Sequence, residues 1–357
     1  MVNNTAFAQR LIQWYKKNAR ELPWRETADP YKIWLSEIIL QQTRVVQGLP
    51  YYNKFIDAFE NVSKLAQADE QSVLRLWQGL GYYSRARNLH KCAREIHENF
   101  NNFFPTDYKS LLKLPGIGKY TAAAIASFSF KEKVPVIDGN VYRVLARVFG
   151  LSDDIASGKG HKEFEKLAWQ LIPGESPDIY NQAIMEFGAM HCTPKTPLCE
   201  DCIFNVECVA RQQNLQGTLP VKSKKVKVTN RYFNYVVLNI NGSMVLNKRL
   251  EGDIWQGLYD FPLLEAESFL SIDDVKGRYD LLKEIKESIH SVDVSEDYKH
   301  ILTHRRIFAR FFTIHLDHST SLINLLKRNN LHVFTEKEVE DLPKPVLVSR
   351  YLNDVIF

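Results

Sequence analysis

The chain has 357 residues, 45% of them hydrophobic and 25% charged, the balance of an ordinary globular protein and not of a disordered one. No apolar run reaches the roughly 20 residues that a membrane span needs, and the length suits two domains of roughly 100 to 200 residues each. A net charge of +4 and a pI near 8.6 permit a polyanionic partner without requiring one.

The opening "MVNNTAFAQRLIQWYKK" is amphipathic rather than a secretory leader, so an intracellular, cytoplasmic protein is expected. From residue 5 to about 212 apolar residues recur at helical spacing between Gly and Pro punctuation, which predicts helix after helix. Within that region "WLSEIILQQT" sets Glu37 in an apolar run. Desolvating a carboxylate costs several kcal/mol unless it is paired or protonated. Either the helix turns Glu37 away from its apolar face, or the carboxylate is perturbed for a purpose.

Cys92, inside "RARNLHKCAREIHENF", reads as a small buried residue. In "LLKLPGIGKYTAAAIASFSF" two glycines, Gly116 and Gly118, allow a tight turn between helices. The turn can be a plain connection, or its amides at a helix start can hold a phosphate. Asp138, in "VIDGNVYRVLARVFG", is a good N-cap, a role compatible with catalysis. Four of the five cysteines, Cys192, Cys199, Cys202 and Cys208, form C-x6-C-x2-C-x5-C. That spacing points to a metal and leaves zinc and an iron-sulfur cluster both open.

A lysine-rich linker is expected over residues 213–230, separating a helical domain over 1–212 from a second domain over 231–357. Beyond it "RYFNYVVLNI", the turn Asn241-Gly242 and "SMVLNKRL" predict a β-hairpin, and "RRIFARFFTIHL" a further strand. Helical pieces near Asp274 to Ser288 and Val346 to Val355 make this domain α+β.

The motifs "LPWRETADPYKIWLSEIILQQTRV", "LWQGLGYYSRARNLHK", "LPGIGKYTAAAIASF", "VIDGNVYRVLARVFG" and "YNQAIMEFGAMHCTPKTPLCEDC" come in the order and spacing of a known family. The chain resembles the helix-hairpin-helix DNA glycosylases, and among them adenine DNA glycosylases of the MutY type. The resemblance implies a mainly α catalytic domain whose four cysteines hold a 4Fe-4S cluster, followed by a Nudix-like α+β domain. It implies removal of adenine mispaired with 8-oxoguanine or G in double-stranded DNA, by a monomer. Glu37 would protonate the adenine, and Asp138, oriented by Asn140, would stabilise or trap an oxocarbenium-like sugar, the logic of glycoside hydrolysis. Tyr120 stands where lyase-competent relatives such as endonuclease III carry a lysine, so hydrolysis without strand cutting is expected. Lys119 lies one residue earlier, on another helical face.

By the same resemblance Gln42 and Tyr82 match residues that wedge into the base stack, and Thr43 and Leu80 match neighbours of the opposite base. Trp24, Arg25 and Gln182 match the wall of the adenine pocket, and Gly116, Gly118 and Lys119 the DNA-binding hairpin. "LLEAESFLSIDDVKGRYDLLKEI" lacks the clustered glutamates of a magnesium-dependent Nudix hydrolase, which leaves a lesion-recognition domain. Leu302, Thr303 and His304 stand at the family's Phe-Ser-His loop, with Leu for Phe a departure. The main alternative is an endonuclease III-like pyrimidine glycosylase with lyase activity, and a non-catalytic DNA-binding module is a further one.

Overall fold

The computed structural model describes residues 4–223 and 228–355. Its contacts divide the chain into two units. The first runs to Gln67 and resumes at Asn88 as far as the linker, and the second joins Ala68–Arg87 to the chain beyond the linker.

In the first unit, Asp29 accepts a hydrogen bond from the Tyr31 N–H and Pro30 occupies the first turn, which together start the helix Pro30–Leu40. Tyr31 and every residue from Ile33 to Ile39 are buried, so the helix crosses the interior and Glu37 goes in with it. It packs on the helix Lys119–Phe130, where Ala122, Ala123, Ala124 and Ala126 permit close approach. The turn before that helix requires glycine at 116: φ is +73°, and a Cβ there would lie 2.7 Å from the Cβ of Asn88. Gly118 caps the helix with extended backbone at φ −91°.

Asp138 caps the helix Gly139–Phe149, which ends at left-handed Gly150. The helix Pro177–Met190 packs on it and on the N-terminal helix Asn4–Asn18. Phe7 stacks on Phe204 at 4.8 Å and Phe187 meets Phe204 edge-on at 5.7 Å, which ties the cysteine segment into the core of this unit. Residues 213–223, expected in the linker, lie against the same unit. Leu219 is buried, Gln216 accepts from Arg147 at 2.6 Å, and Val221 accepts from the Ile155 N–H at 3.0 Å. Residues 224–227 of the expected linker lie outside the described residues.

The second unit is built on a sheet with eight strands among the described residues: β1 (Thr229–Ile240), β2 (Ser243–Lys248), β3 (Tyr259–Asp260), β4 (Leu263–Ala266), β5 (Ile289–Val294), β6 (Tyr298–Ile301), β7 (Arg305–Leu316) and β8 (His332–Phe334). The hairpin at Asn241-Gly242 forms as expected, with positive φ at both residues and β1 antiparallel to β2. The strand read in "RRIFARFFTIHL" is β7, which lies parallel to β1 from Thr229↔Arg305 to Ile240↔Leu316. One face packs Val236, Leu238, Phe312 and Ile314 against Leu322 and Leu326. On the other, Tyr235, Phe311 and Tyr351 stack at 4.8 and 3.9 Å, with Tyr351 supplied by the helix Val346–Val355. The predicted helical pieces appear as Ile272–Arg278, Asp280–Glu284 and Val346–Val355. Among the described residues, no helix is long and apolar enough to cross a membrane.

Candidate active site

A cavity of about 520 Å³ opens in the first unit, lined by Trp24, Arg25, Glu37, Tyr120, Asp138 and Gln182; Thr43 and Asn140 also reach it. The interior helix Pro30–Leu40 delivers Glu37, which is only 7% exposed. The Tyr120 hydroxyl donates to Glu37 Oε2 at 2.6 Å. Burial pushes the Glu37 carboxyl from 4.5 up to about 7; the Asp138 charge adds to the lift, while Tyr120 and Arg25 oppose it. Glu37 is therefore protonated in a substantial fraction of molecules near neutral pH.

Asp138 is differently served. Its Oδ1 accepts from the Asn140 and Val141 N–H groups at 2.9 and 2.8 Å, and its Oδ2 from Asn140 Nδ2 at 2.6 Å. Burial raises its carboxyl too, but these donors and Arg143 pull it back. Two carboxyl groups with unequal surroundings can divide acid and base duties. Asn140 is held in turn, because its Oδ1 accepts from Arg143 at 2.8 Å.

The lining also includes an ion cluster that no local motif announces. Glu186, 1% exposed, binds Arg20 at 2.6 and 2.7 Å and Arg25 at 2.6 and 3.0 Å. Burial opposes ionisation, yet the two guanidinium groups hold its carboxyl down at about 2. Gln182, one turn earlier on the same helix, accepts from the Tyr15 hydroxyl at 2.7 Å. Sequence reading missed Tyr15, Arg20 and Glu186. Glu186 carries the same signal as Glu37, a carboxylate in an apolar run, "AIMEFGAM".

Other expected site residues lie outside the cavity lining. Gln42 sits just past the end of its helix with φ +59° and is exposed. Gly116, Gly118 and Lys119 are exposed around the turn. In the second unit, Gly79, Gly81 and Tyr82 have positive φ, a conformation that costs the two glycines little and strains only Tyr82; the Tyr82 ring is 48% exposed while Leu80 is buried. The Tyr82 hydroxyl hydrogen-bonds Thr303 Oγ1, so two residues 221 positions apart meet within this unit. His304 is exposed, and its carbonyl accepts from the Thr229 N–H at 3.1 Å.

The cysteines form no disulfides, and Cys92 is buried as expected. Among the described residues, no three His, Cys, Asp or Glu side chains gather closely enough to hold a single metal ion. Donors nevertheless reach two sulfurs of the four-cysteine loop. Buried Arg147 donates to Cys192 Sγ at 3.4 Å and to the Thr193 and Pro194 carbonyls at 2.7 and 2.9 Å, and the Phe204 N–H meets Cys202 Sγ at 3.4 Å. Burial raises the Cys202 thiol, and Cys192, Cys208 and Cys199 add to the rise, which favours the neutral thiol unless a cation offsets it.

Residues 35–174 match the family described as HhH-GPD superfamily base excision DNA repair protein, and residues 234–354 match the NUDIX domain. The adenine DNA glycosylase of Buchnera aphidicola subsp. Schizaphis graminum is 38% identical over 266 residues, covering 73% of this chain and 76% of the relative. That of Buchnera aphidicola subsp. Baizongia pistaciae is 33% identical over 349 residues, 95% of this chain and 94% of the relative. The chain belongs to the adenine DNA glycosylase family. As an adenine DNA glycosylase it is a hydrolase of base-excision repair, with a helical glycosylase domain and a Nudix-like domain. The human adenine DNA glycosylase is 41% identical over 224 residues, 60% of this chain and 41% of that protein. Among solved structures, a thermostable thymine-DNA glycosylase aligns with a TM-score of 0.54 at 28% identity, over 59% of this chain and 97% of its own. An endonuclease III–DNA complex aligns at 0.52 with 21% identity, over 60% of this chain and all of its own, which supports the shared fold of the glycosylase region.

Proposed function

We propose that this glycosylase removes adenine mispaired with 8-oxoguanine or G, with Glu37 as general acid and Asp138 as the group that stabilises or traps the sugar cation. The observation that carries the reading is the Glu37 carboxyl, buried in the cavity and pushed to about 7, beside an Asp138 held by three hydrogen bonds. Adenine is a poor leaving group as an anion, so its departure needs a proton at N7, and Glu37, with its carboxyl pushed up to about 7, is the group placed to supply it. As the bond from sugar to base breaks, positive charge grows on the sugar and the Asp138 carboxylate faces it. Water then completes the hydrolysis. Tyr120 keeps Glu37 in place through its 2.6 Å bond and offers no amine for a Schiff base, which favours base removal without strand cutting.

The adenine would be turned out of the duplex into the pocket between Trp24, Arg25 and Gln182, as glycosylases in general require. Gln42 and Tyr82, both exposed and left-handed in backbone, would insert into the vacated stack, and Thr43 and Leu80 would meet the opposite base. Gly116, Gly118 and Lys119 would take a phosphate of the DNA at the start of their helix. Thr303 and His304 would read 8-oxoguanine, a role supported by the Tyr82–Thr303 hydrogen bond. Cys192, Cys199, Cys202 and Cys208 would hold a 4Fe-4S cluster, with Arg147 and the Phe204 N–H supporting two of the sulfurs. Such a cluster would brace the cysteine segment, which Phe204 already ties to the core of the first unit, and would supply no chemistry to base excision. The catalytic domain would span 1–212 and the recognition domain 231–357, in a monomeric, cytoplasmic enzyme.

The test is excision from duplexes holding A opposite 8-oxoguanine, G or T, scored with and without alkali. Strand breaks that appear only after alkali, and only opposite 8-oxoguanine and G, are expected. Breaks without alkali, together with borohydride trapping of the wild type, would move the chain to the lyase alternative.

A further inference from the structure

The cavity lining includes a group, Gln182, whose chemistry depends on its orientation. Gln182 ends in a carboxamide, nearly symmetric in shape but not in function, because turning it over exchanges an acceptor for two donors. Its Oε1 accepts from the Tyr15 hydroxyl at 2.7 Å. Tyr15 comes from the helix Asn4–Asn18 and is half-buried, and it is not among the residues lining the cavity. It can act on a bound base only through what it touches.

Its second contact fixes its direction. The Arg25 guanidinium lies over the Tyr15 ring, 5.6 Å from the centroid, and is itself pinned by Glu186 and by the Arg20 carbonyl at 3.1 Å. A cation against the ring draws density from the phenol and favours its hydroxyl as a donor. A donating Tyr15 hydroxyl pairs only with the Oε1 end of the amide. Gln182 is then left with its NH2 free to be offered to the cavity.

We propose that Tyr15 is a positioning residue for base selection: by locking the Gln182 amide it sets a hydrogen-bond donor in the pocket wall, which accepts a purine presenting a ring-nitrogen lone pair and opposes one presenting a ring N–H. Adenine has such a lone pair at N1, where hypoxanthine and guanine carry N1–H. The proposal rests on the reading of this cavity as the adenine pocket and goes beyond it in naming how that pocket discriminates. An unlocked amide turns over and serves either pattern, so losing Tyr15 costs selectivity more than it costs the chemical step.

The experiment compares single-turnover excision of adenine and of hypoxanthine, each opposite G, by the full-length wild type, Tyr15→Phe, Gln182→Ala and the double variant. Phe keeps the ring under Arg25 and removes only the hydroxyl. In Tyr15→Phe the adenine-to-hypoxanthine ratio is expected to fall roughly 5-fold or more, the worth of about one net hydrogen bond. Binding to a duplex that already holds an abasic-site analogue, which has no base to read, should be unchanged. In the Gln182→Ala background the same substitution should change nothing further. An unchanged ratio in Tyr15→Phe overturns the proposal, as does an equal loss in the Gln182→Ala background or a parallel loss of abasic-site binding, both of which indicate packing alone. A wild type that leaves adenine in place overturns the underlying reading of the pocket, and the proposal with it.

Discussion

Replacing Glu37 by Gln tests the site in two independent ways. The carboxyl titrates near 4.5 in an unfolded chain and at about 7 in the folded one. Between those values the folded protein binds the extra proton, so this group lowers stability as pH rises from about 4.5 to about 7, and the loss is complete above that range. A lift of that size corresponds to about 3 kcal/mol. Gln has the same shape and can accept the Tyr120 hydroxyl, but it has no charge to desolvate. Glu37→Gln should therefore melt close to wild type at pH 5 and several degrees higher at pH 8. Its adenine excision should meanwhile fall by roughly 10²- to 10⁴-fold, the usual cost of losing a general acid. Thermal melts over pH 5 to 8 and single-turnover excision on one duplex provide both readings. Wild-type excision by the variant, or parallel pH profiles of the two melting curves, would refute the assignment of Glu37 as a buried, proton-holding acid.

Asp138→Asn should lose excision to a similar degree while melting near wild type, because Asn caps the helix Gly139–Phe149 about as well as Asp; a large drop in melting temperature would make capping the main role. Glu186→Gln leaves two guanidinium groups beside a neutral partner, and with Glu186 only 1% exposed the loss should be about 3 kcal/mol, read by denaturant unfolding. The Glu186 carboxyl is held down at about 2, so its contribution stands above about 4.5 and disappears as the pH falls through about 2. Thr303→Ala combined with His304→Ala should reduce excision opposite 8-oxoguanine relative to G by roughly 5-fold per lost hydrogen bond, measured at matched salt because phosphate contacts make affinity salt-dependent. Equal discrimination by the double variant would remove the lesion-reading role from this loop.

What could be read from the residues was mostly what is local. The Asn241-Gly242 hairpin follows from two residues that accept positive φ, and Asp138 as a cap follows from its place before an amphipathic helix. Glu37 was conspicuous because a carboxylate broke an apolar run, and the motif resemblance paired it with Asp138 and Tyr120. Arg20 and Glu186 are separated by 166 residues and Tyr15 and Gln182 by 167, so nothing in their neighbourhoods predicts that they meet. The parallel pairing of β1 with β7 was equally hidden, since each strand alone shows only its alternation. Residues 213–223 looked like free linker because they are polar overall, yet one buried leucine and a few backbone carbonyls attach them to the first unit.

The grouping of Ala68–Arg87 with the C-terminal unit has a consequence for biosynthesis. Gln78 bonds the Ser349 hydroxyl at 3.0 Å and the Lys344 N–H at 3.2 Å, Arg87 donates to the Gln256 carbonyl at 2.8 Å, and Leu74 packs against Gly257. On a ribosome these residues emerge long before their partners, and at roughly 5 to 20 residues per second the wait is on the order of ten seconds or more. Throughout that interval Leu74, Gln78 and Arg87 lack these final neighbours. A chain cut at the linker would extend the wait indefinitely: a protein with every catalytic group present would still carry a sticky surface, and its yield would fall for reasons unrelated to catalysis.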